Sequence, residues 1–171
     1  QKVNILITGH SSGLGDQLLK LSLKNKHVVY GISRKKSNKI SDEFQIAADL
    51  SKEKDINRTS KWLENIQIDI FFHCAGSNEI IALEKASFEN YLSSFILHVL
   101  SATQITKSII KEMKNCGGKI ILISSIWSKI ACHSRGPYSI SKAGINALAK
   151  QIALEHGKEN ISANSIVLGF V

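Results

Sequence analysis

The chain has 171 residues, of which 43% are apolar and 21% are charged. This length and composition are typical of a globular protein with one domain, and they exclude a disordered tail protein and a collagen-like fibre. No apolar run approaches the roughly 18 residues of a membrane-spanning helix, and the N-terminus has too short an apolar stretch for a signal peptide. We therefore expect a cytoplasmic protein that has no membrane partner.

The net charge of +8 has several interpretations. A lysine-rich solvated surface, an anionic cofactor, an acidic carrier protein and nucleic acid would each account for it. The run Arg34-Lys35-Lys36 has no interleaved aromatic residue, so we expect no nucleic-acid partner. Cys74, Cys116 and Cys132 are far apart and outside any metal-ligand spacing, which predicts free thiols and no metal site.

Apolar runs alternate with helical patterns along the chain. Strands are predicted at 3–7, 27–32, 44–48, 68–73, 119–123 and 162–168. Helices are predicted from about Leu14 onward and over 53–65, 88–113 and 137–156, with Gly117 after the third and Pro137 at the start of the fourth. This alternation indicates βαβ units, and the continuous apolar runs fit strands that are buried on both faces. We therefore predict a single α/β domain over residues 1–171, built on a doubly wound parallel sheet.

In such a sheet, ligands bind beyond the carboxyl ends of the strands, where the strand order reverses. Residues 8–15, with the sequence TGHSSGLG, follow the first strand and open a helix. Glycines here allow a sharp turn, a close approach of the backbone to a pyrophosphate and close packing of the helix, whose N-terminus attracts phosphates. The pattern predicts a Rossmann-type dinucleotide site that uses Gly9, Ser11, Ser12, Gly13, Leu14 and Gly15.

The second predicted strand is followed by Ser33 and Arg34. NAD-dependent proteins usually have an Asp or Glu here, which binds the ribose hydroxyls. Arg34 can instead pair with a 2′-phosphate through two hydrogen bonds, with another donated by the hydroxyl of Ser33. A solvated basic loop is the alternative. The first interpretation predicts a preference for NADP(H), with NAD(H) as the alternative cofactor.

Two further strands end in residues that suit a nucleotide. Asp49 and Leu50 follow the third strand. The carboxylate of Asp49 either accepts a hydrogen bond from an adenine amino group or caps the next turn. Cys74, Ala75 and Gly76 follow the fourth strand, and their small side chains let a ribose lie against the chain. We interpret Cys74 as a small buried residue rather than as a nucleophile.

The region after the fifth strand carries hydroxyl, phenol and amine groups at a specific spacing. Tyr138 lies thirteen residues after Ser125, and Lys142 lies four residues after Tyr138, so the latter two share one helix face. An ammonium close to a phenol favours the phenolate, which suits such a tyrosine to general acid/base catalysis near neutral pH. A serine hydroxyl nearby can hydrogen-bond the oxygen of a carbonyl or an alcohol.

The ordered set of these motifs resembles the short-chain dehydrogenases/reductases. It comprises the glycine-rich turn, Asp49, Ala75-Gly76, Ser125, Tyr138-x3-Lys142 and Gly169, and it covers essentially the whole chain. The resemblance extends to NADP(H)-preferring single-domain members such as the 3-oxoacyl-carrier-protein reductases. It implies that Tyr138 is the catalytic acid/base, that Lys142 binds the nicotinamide ribose, and that Ser125 orients the substrate. It also implies that Gly169 lies next to the nicotinamide.

This resemblance implies an oxidoreductase that transfers a hydride between NADP(H) and a carbonyl compound or secondary alcohol. The alternative is a cofactor-binding but catalytically weak protein that acts as a sensor or assembly partner. Family members often associate through two long helices, so the resemblance also implies a homodimer or tetramer. An apolar stripe predicted from Leu92 through Phe95 to Met113 would either face a second subunit or pack against the sheet.

One departure from the family concerns the long helix. Family members usually have an asparagine there, which completes a proton relay through water to the lysine. Counting along the chain places this position at Phe95, or at Leu97 or His98, and none of these is asparagine. Ser93, Ser94 or His98 would be the substitutes. Alternatively, His98 is only a partly buried histidine of the helix.

The C-terminal end departs from the family in two further ways. Leu168 stands where family members have a proline before the glycine. The chain also ends at Val171, without the substrate-covering segment and the last strand of family members. We therefore expect these residues to be part of a longer protein.

Overall fold

The computed structural model describes residues 2–169. Within these residues, six strands form one sheet in which all neighbours are parallel. The strands are β1 Asn4–Thr8, β2 Val28–Ser33, β3 Gln45–Ala47, β4 Ile70–His73, β5 Gly118–Ser125 and β6 Ile161–Leu168. Their order across the sheet is β3-β2-β1-β4-β5-β6, which confirms the predicted doubly wound fold.

Helices connect consecutive strands, as in βαβ units, except between β2 and β3, where the connection contains only a 3-10 turn. They are α1 Gly13–Lys24, α2 Glu53–Trp62, α3 Phe88–Phe95, α4 Ser101–Cys116 and α5 Gly136–His156. A π-helical turn, Ile96–Leu100, joins α3 to α4. Short 3-10 turns occur at Asp42–Phe44, Leu83–Lys85, Ile126–Ser128 and Gly157–Glu159.

The strand order reverses at β1, which has β2 on one side and β4 on the other. The last residue of β1, Thr8, is in register with Ile32 of β2 and with His73 of β4. The loops that leave these three strands therefore begin side by side. A cleft at this edge of the sheet is the expected place for a ligand in an open α/β fold.

Both faces of the sheet are covered by apolar side chains, as the continuous apolar strands predict. On one face, Leu6, Phe71 and Ile105 belong to the larger core cluster, which includes side chains of α4 and α5. On the other face, Ile7 packs with Leu19 of α1. All five side chains are fully buried, and burial of each such side chain contributes about 2 kcal/mol to stability.

In the first half of the long helix, two side chains of the predicted apolar stripe are exposed rather than packed against the sheet. Leu92 and Phe95 are exposed, whereas Ser94 and His98 are buried. The π-helical turn adds a residue to one turn of the helix, which changes the face that each later residue presents. In the second half, Ile109 is buried as predicted.

Element boundaries differ from the predictions by a few residues. β3 is shorter than predicted because a 3-10 turn occupies Asp42–Phe44, and α2 ends at Trp62 rather than at residue 65. Gly117 ends α4 as predicted, with a φ of 77° that favours glycine. In the part of the chain that the structure describes, no helix combines the length and apolarity needed to cross a membrane.

Candidate active site

A cleft of about 460 Å³ lies at the carboxyl edge of the sheet, where the strand order reverses. Its lining includes most of the residues predicted to contact a cofactor: Gly9, Ser11, Ser12, Gly13, Leu14, Gly15, Ser33, Arg34, Asp49, Leu50, Cys74, Ala75 and Gly76. Tyr138, Lys142 and Gly169 are not among the lining residues, and Gly169 is exposed just after β6. The fold therefore brings together segments that are far apart in the chain.

The glycine-rich turn has the backbone geometry that a diphosphate needs. Gly9 and Gly13 have φ values of 70° and 52°, which favour glycine. A Cβ at Gly15 would lie 2.2 Å from the carbonyl oxygen of Gly9, so a side chain there would enter the turn itself. The helix starts without a side-chain cap from Ser12, which leaves its first-turn N–H groups available to an anion. The residues present thus fit a dinucleotide.

The hydroxyl of Thr8 holds the turn against the end of β4. Its oxygen accepts hydrogen bonds from the backbone N–H groups of Cys74 and Ala75, each at 3.1 Å. Because both lone pairs are then used, its proton goes to Nδ1 of His73 at 3.0 Å. The position of Thr8 directly before the first glycine is the sequence signal for this role, which we did not predict.

The far end of the cleft carries Arg34, Ser33 and Asp49. Arg34 is exposed, whereas Ser33 is buried and its hydroxyl donates to the carbonyl oxygen of Lys35. In this structure the single hydroxyl proton of Ser33 is thus already used, so the predicted hydrogen bond to a phosphate requires this bond to open.

Asp49 has the turn-capping role that the sequence suggested, and its hydrogen bond to an adenine amino group stays a prediction. Its Oδ1 accepts from the backbone N–H of Ser51 at 3.1 Å and from the hydroxyl of Ser51 at 2.7 Å, so it caps the following turn. These bonds hold the pKa of Asp49 below its usual value. The same residue lines the cleft, so its carboxylate also borders the space for a ligand.

Lys142 and Tyr138 lie one turn apart near the start of α5. The Lys142 ammonium is 5.7 Å from the centroid of the Tyr138 ring and donates a 2.8 Å hydrogen bond to the carbonyl oxygen of Ile123. Ile123 itself lines the cleft. Burial lowers the pKa of Lys142 to about 8. A titratable ammonium is therefore held beside a phenol and is hydrogen-bonded to a residue that lines the cleft.

Ser125 ends β5 and begins the 3-10 turn after it. Its side chain is buried, and its oxygen accepts a 3.3 Å hydrogen bond from the backbone N–H of Trp127. That bond uses the oxygen as an acceptor, so the hydroxyl can still donate its proton. Ser125 is not among the residues that line the cleft. The neighbouring Ser124 donates to the carbonyl oxygen of Lys142 at 3.2 Å, which fixes α5 against β5.

His98 occupies the region where the family asparagine was sought. It is completely buried rather than partly buried as predicted. Its ring lies 5.6 Å from that of Tyr138, edge to face. The π-helical turn that carries it is a type of irregularity that is frequent at functional sites. Counting along the chain gave His98 as one of three positions for the family asparagine. No local sequence feature distinguishes His98 from the other two.

Cys74 fits the role of a small residue rather than that of a nucleophile. Burial raises the pKa of its thiol to about 12, and the nucleophilic form of cysteine is the thiolate. All three cysteines are free. In residues 2–169, no cluster of His, Cys, Asp and Glu could hold a metal ion.

The sequence of residues 3–171 matches the family model described as short chain dehydrogenase. The chain belongs to the short-chain dehydrogenase family. It is 30% identical to 3-ketodihydrosphingosine reductase of Bacteroides thetaiotaomicron over 154 residues, 88% of this chain and 57% of that protein. It is 27% identical to 3-oxoacyl-[acyl-carrier-protein] reductase of Chlamydia pneumoniae over 180 residues, 98% of this chain and 73% of that protein.

A solved structure of similar fold is 4-hydroxyisoleucine dehydrogenase complexed with NADH and succinate. It matches with a TM-score of 0.88 and 27% identity over 96% of this chain and 78% of that chain. This short-chain dehydrogenase chain thus spans between 57% and 78% of the length of these three proteins.

The buried lysine of this short-chain dehydrogenase predicts a pH-dependent effect on stability. Below pH 8, Lys142 is protonated in both folded and unfolded states, so the folded state bears the cost of the buried charge. Between the folded pKa of about 8 and the usual value of 10.5, only the unfolded state retains the proton, so wild-type stability rises with pH. Replacement of Lys142 by methionine removes this gain. We expect the stability of Lys142→Met relative to wild type to fall by about 2 kcal/mol between pH 7 and pH 10.

Urea denaturation at the two pH values measures this difference. The lost hydrogen bond to Ile123 affects both values alike, so it cancels in the comparison. Lys150→Met is the matched control, because Lys150 is an exposed lysine of the same helix. A parallel pH dependence of wild type and Lys142→Met would contradict the depressed pKa of the buried lysine.

Proposed function

We propose that this chain is an oxidoreductase that transfers a hydride between NADP(H) and a carbonyl compound or secondary alcohol. One observation carries the proposal: the ammonium of Lys142 is held beside Tyr138 by the carbonyl oxygen of Ile123, a residue that lines the cleft. A Cβ at Gly76, on the opposite side, would lie 3.5 Å from the same ammonium. The acid/base pair thus lies next to Ile123 and Gly76, two residues that line the space proposed for a nicotinamide cofactor.

The residues that would hold the cofactor are the cleft residues of the three loops. The glycine-rich turn and the first turn of α1 would bind the diphosphate, Asp49 and Leu50 the adenine side, and Ala75 and Gly76 a ribose. When bound, the nicotinamide supplies or accepts the hydride. Lys142 and Gly169 would lie on the nicotinamide side of the site.

Three side chains near the cleft would carry out proton transfer and substrate orientation. The hydroxyl of Tyr138 gives a proton to the carbonyl oxygen in reduction and takes it back in alcohol oxidation. The ammonium of Lys142 stabilises the phenolate that remains. The hydroxyl of Ser125 donates a hydrogen bond to the same substrate oxygen and so orients it.

A preference for NADP(H) rests on Arg34. Its guanidinium borders the cleft beyond the end of β2, and the residues that directly follow this strand, Arg34-Lys35-Lys36, include no Asp or Glu that would bind the ribose hydroxyls. The exposed position lets it reach a 2′-phosphate through two charge-assisted hydrogen bonds. The NADH bound to 4-hydroxyisoleucine dehydrogenase makes NAD(H) the alternative cofactor.

Titration of the protein with NADPH and NADH, followed by nicotinamide fluorescence, tests the preference. We expect Arg34→Ala to weaken NADPH binding by about 10- to 100-fold, which corresponds to the loss of charge-assisted hydrogen bonds, and NADH binding by less than about twofold. Lys35→Ala is the matched control, because Lys35 is the exposed basic neighbour that does not line the cleft. Equal losses for the two cofactors would remove the argument for NADP(H).

We also propose that the chain forms a homodimer or tetramer. Exposed apolar side chains on α3 and α5 support this proposal, together with the association of family members through long helices. They are Phe88, Leu92, Phe95, Ile140 and Leu154. Self-association would remove this apolar surface from water.

A further inference from the structure

The ring of His98 connects two segments of the proposed active site. The π-helical turn places it, fully buried, between the loop after β4 and the first turns of α5. Its Nε2 lies 3.1 Å from the backbone nitrogen of Ser77, in the loop. Its Nδ1 lies 2.8 Å from Oγ of Ser141, on α5 between Tyr138 and Lys142.

The partners of His98 determine where its proton resides. The backbone N–H of Ser77 can only donate, so Nε2 must be the unprotonated nitrogen. Nδ1 therefore carries the hydrogen and donates it to Ser141, whose own hydroxyl donates to the carbonyl oxygen of Tyr138 at 2.8 Å. Ser94 closes the network, with its hydroxyl 3.2 Å from the carbonyl oxygen of Pro137 and 3.1 Å from Oγ of Ser141. Both ring nitrogens are engaged without a water molecule.

The surroundings of the ring disfavour a second proton. The titratable groups that face it are Lys142 and Tyr138 from α5 and His73 from β4. Burial, with a smaller effect of the Lys142 charge, lowers the pKa of His98 to about 2. The pKa of His73 is lowered to about 3, again mainly by burial. The imidazole of His98 is therefore neutral over the pH range in which enzymes work.

We propose that His98 is a positioning residue that fixes Tyr138 and Lys142 against the loop after β4 and that carries no proton during turnover. A Cβ at Gly76 would lie 3.0 Å from Nε2 of His98, so the loop is in contact with the ring. Where family members use an asparagine in a water relay, this chain has a ring whose two nitrogens are already used. This inference rests on the proposed oxidoreductase function.

Two substitutions separate positioning from proton transfer. The amide of His98→Gln can still accept from Ser77 and donate to Ser141, whereas His98→Leu can do neither. We expect His98→Leu to lower kcat for carbonyl reduction by about 10- to 100-fold, since small displacements of catalytic groups have effects of this size. We expect His98→Gln to retain kcat within about threefold, with a pH profile that coincides with that of the wild type. An acid limb that disappears in His98→Gln would overturn the proposal.

Ser141→Ala provides an independent test, because it removes the acceptor of the ring and leaves the ring in place. We expect Ser141→Ala to lower kcat, and the double variant with His98→Leu to be no slower than His98→Leu alone. Multiplied losses in the double variant would show that the two residues do not act through one hydrogen bond and would overturn the proposal.

NMR of isotope-labelled histidine in the wild type gives a readout that needs no activity. We expect one ring to remain as the Nδ1–H tautomer without titrating between pH 5 and pH 9, and to be absent from the spectrum of His98→Gln. A titrating ring or the opposite tautomer would overturn the inference. A wild-type protein that reduces no carbonyl with either cofactor, yet shows this ring, would instead contradict the proposed function.

Discussion

Tyr138→Phe is expected to lower carbonyl reduction by about a thousandfold, the range that a general acid contributes to catalysis. The substitution removes only the hydroxyl that would give a proton to the carbonyl oxygen. The ring and its contact with Lys142 remain, and neither residue lines the cleft. Cofactor binding should therefore stay within about twofold, while kcat falls. Turnover is followed by nicotinamide absorbance with a panel of ketones and aldehydes, and binding by fluorescence.

Tyr30→Phe is the matched control. Tyr30 packs against Phe44 and Trp62, with ring centroids 5.4 Å and 6.1 Å away, and it is not among the residues that line the cleft. Removal of the Tyr30 hydroxyl should leave kcat unchanged. Full activity of Tyr138→Phe would assign the acid/base role to another group. Cofactor binding without turnover in the wild type would favour the catalytically weak sensor or assembly partner.

Gly15→Ala is expected to weaken cofactor binding and to destabilise the fold. The added methyl would lie 2.2 Å from the carbonyl oxygen and 2.7 Å from the carbonyl carbon of Gly9. Gly9 cannot easily move away, because its N–H donates to the carbonyl oxygen of Ile32 at 2.7 Å and its Cα faces Ala75. We expect a loss of about 1–3 kcal/mol in the free energy of unfolding, since overpacking costs this much. We expect cofactor affinity to fall by more than about tenfold.

Gly157→Ala controls for the general effect of adding a methyl group to a glycine. Gly157 has nothing within 4 Å of its added Cβ, and its φ of −61° suits any residue. We expect the free energy of unfolding of Gly157→Ala to exceed that of the wild type by less than about 1 kcal/mol. Urea denaturation and NADPH titration of both variants provide the comparison. Wild-type affinity in Gly15→Ala would exclude the glycine-rich turn as the diphosphate site.

Local sequence patterns predicted the order of the strands and helices and identified the residues that follow each strand. Some features act within a few residues and can be recognised without the fold. They are the β-branched runs, the glycine-rich turn after β1 and the proline at the start of α5. The parallel sheet then follows from the alternation of strands and helices, and with it the edge at which the cleft forms. The spacing of Tyr138 and Lys142 also belongs to one helix and needed no tertiary contact to be recognised.

Only the tertiary structure decided the state of the individual polar groups. The sequence offered Ser33 as a donor to a phosphate, but its proton is used by the carbonyl oxygen of Lys35. The burial of Lys142 and the engagement of both nitrogens of His98 depend on β5, on the loop after β4 and on a π-helical turn that the apolar pattern did not show. These hydrogen bonds and the desolvation of these charges depend on atoms that are distant in the chain. Such atoms come into contact only in the folded molecule, so the sequence alone does not show them.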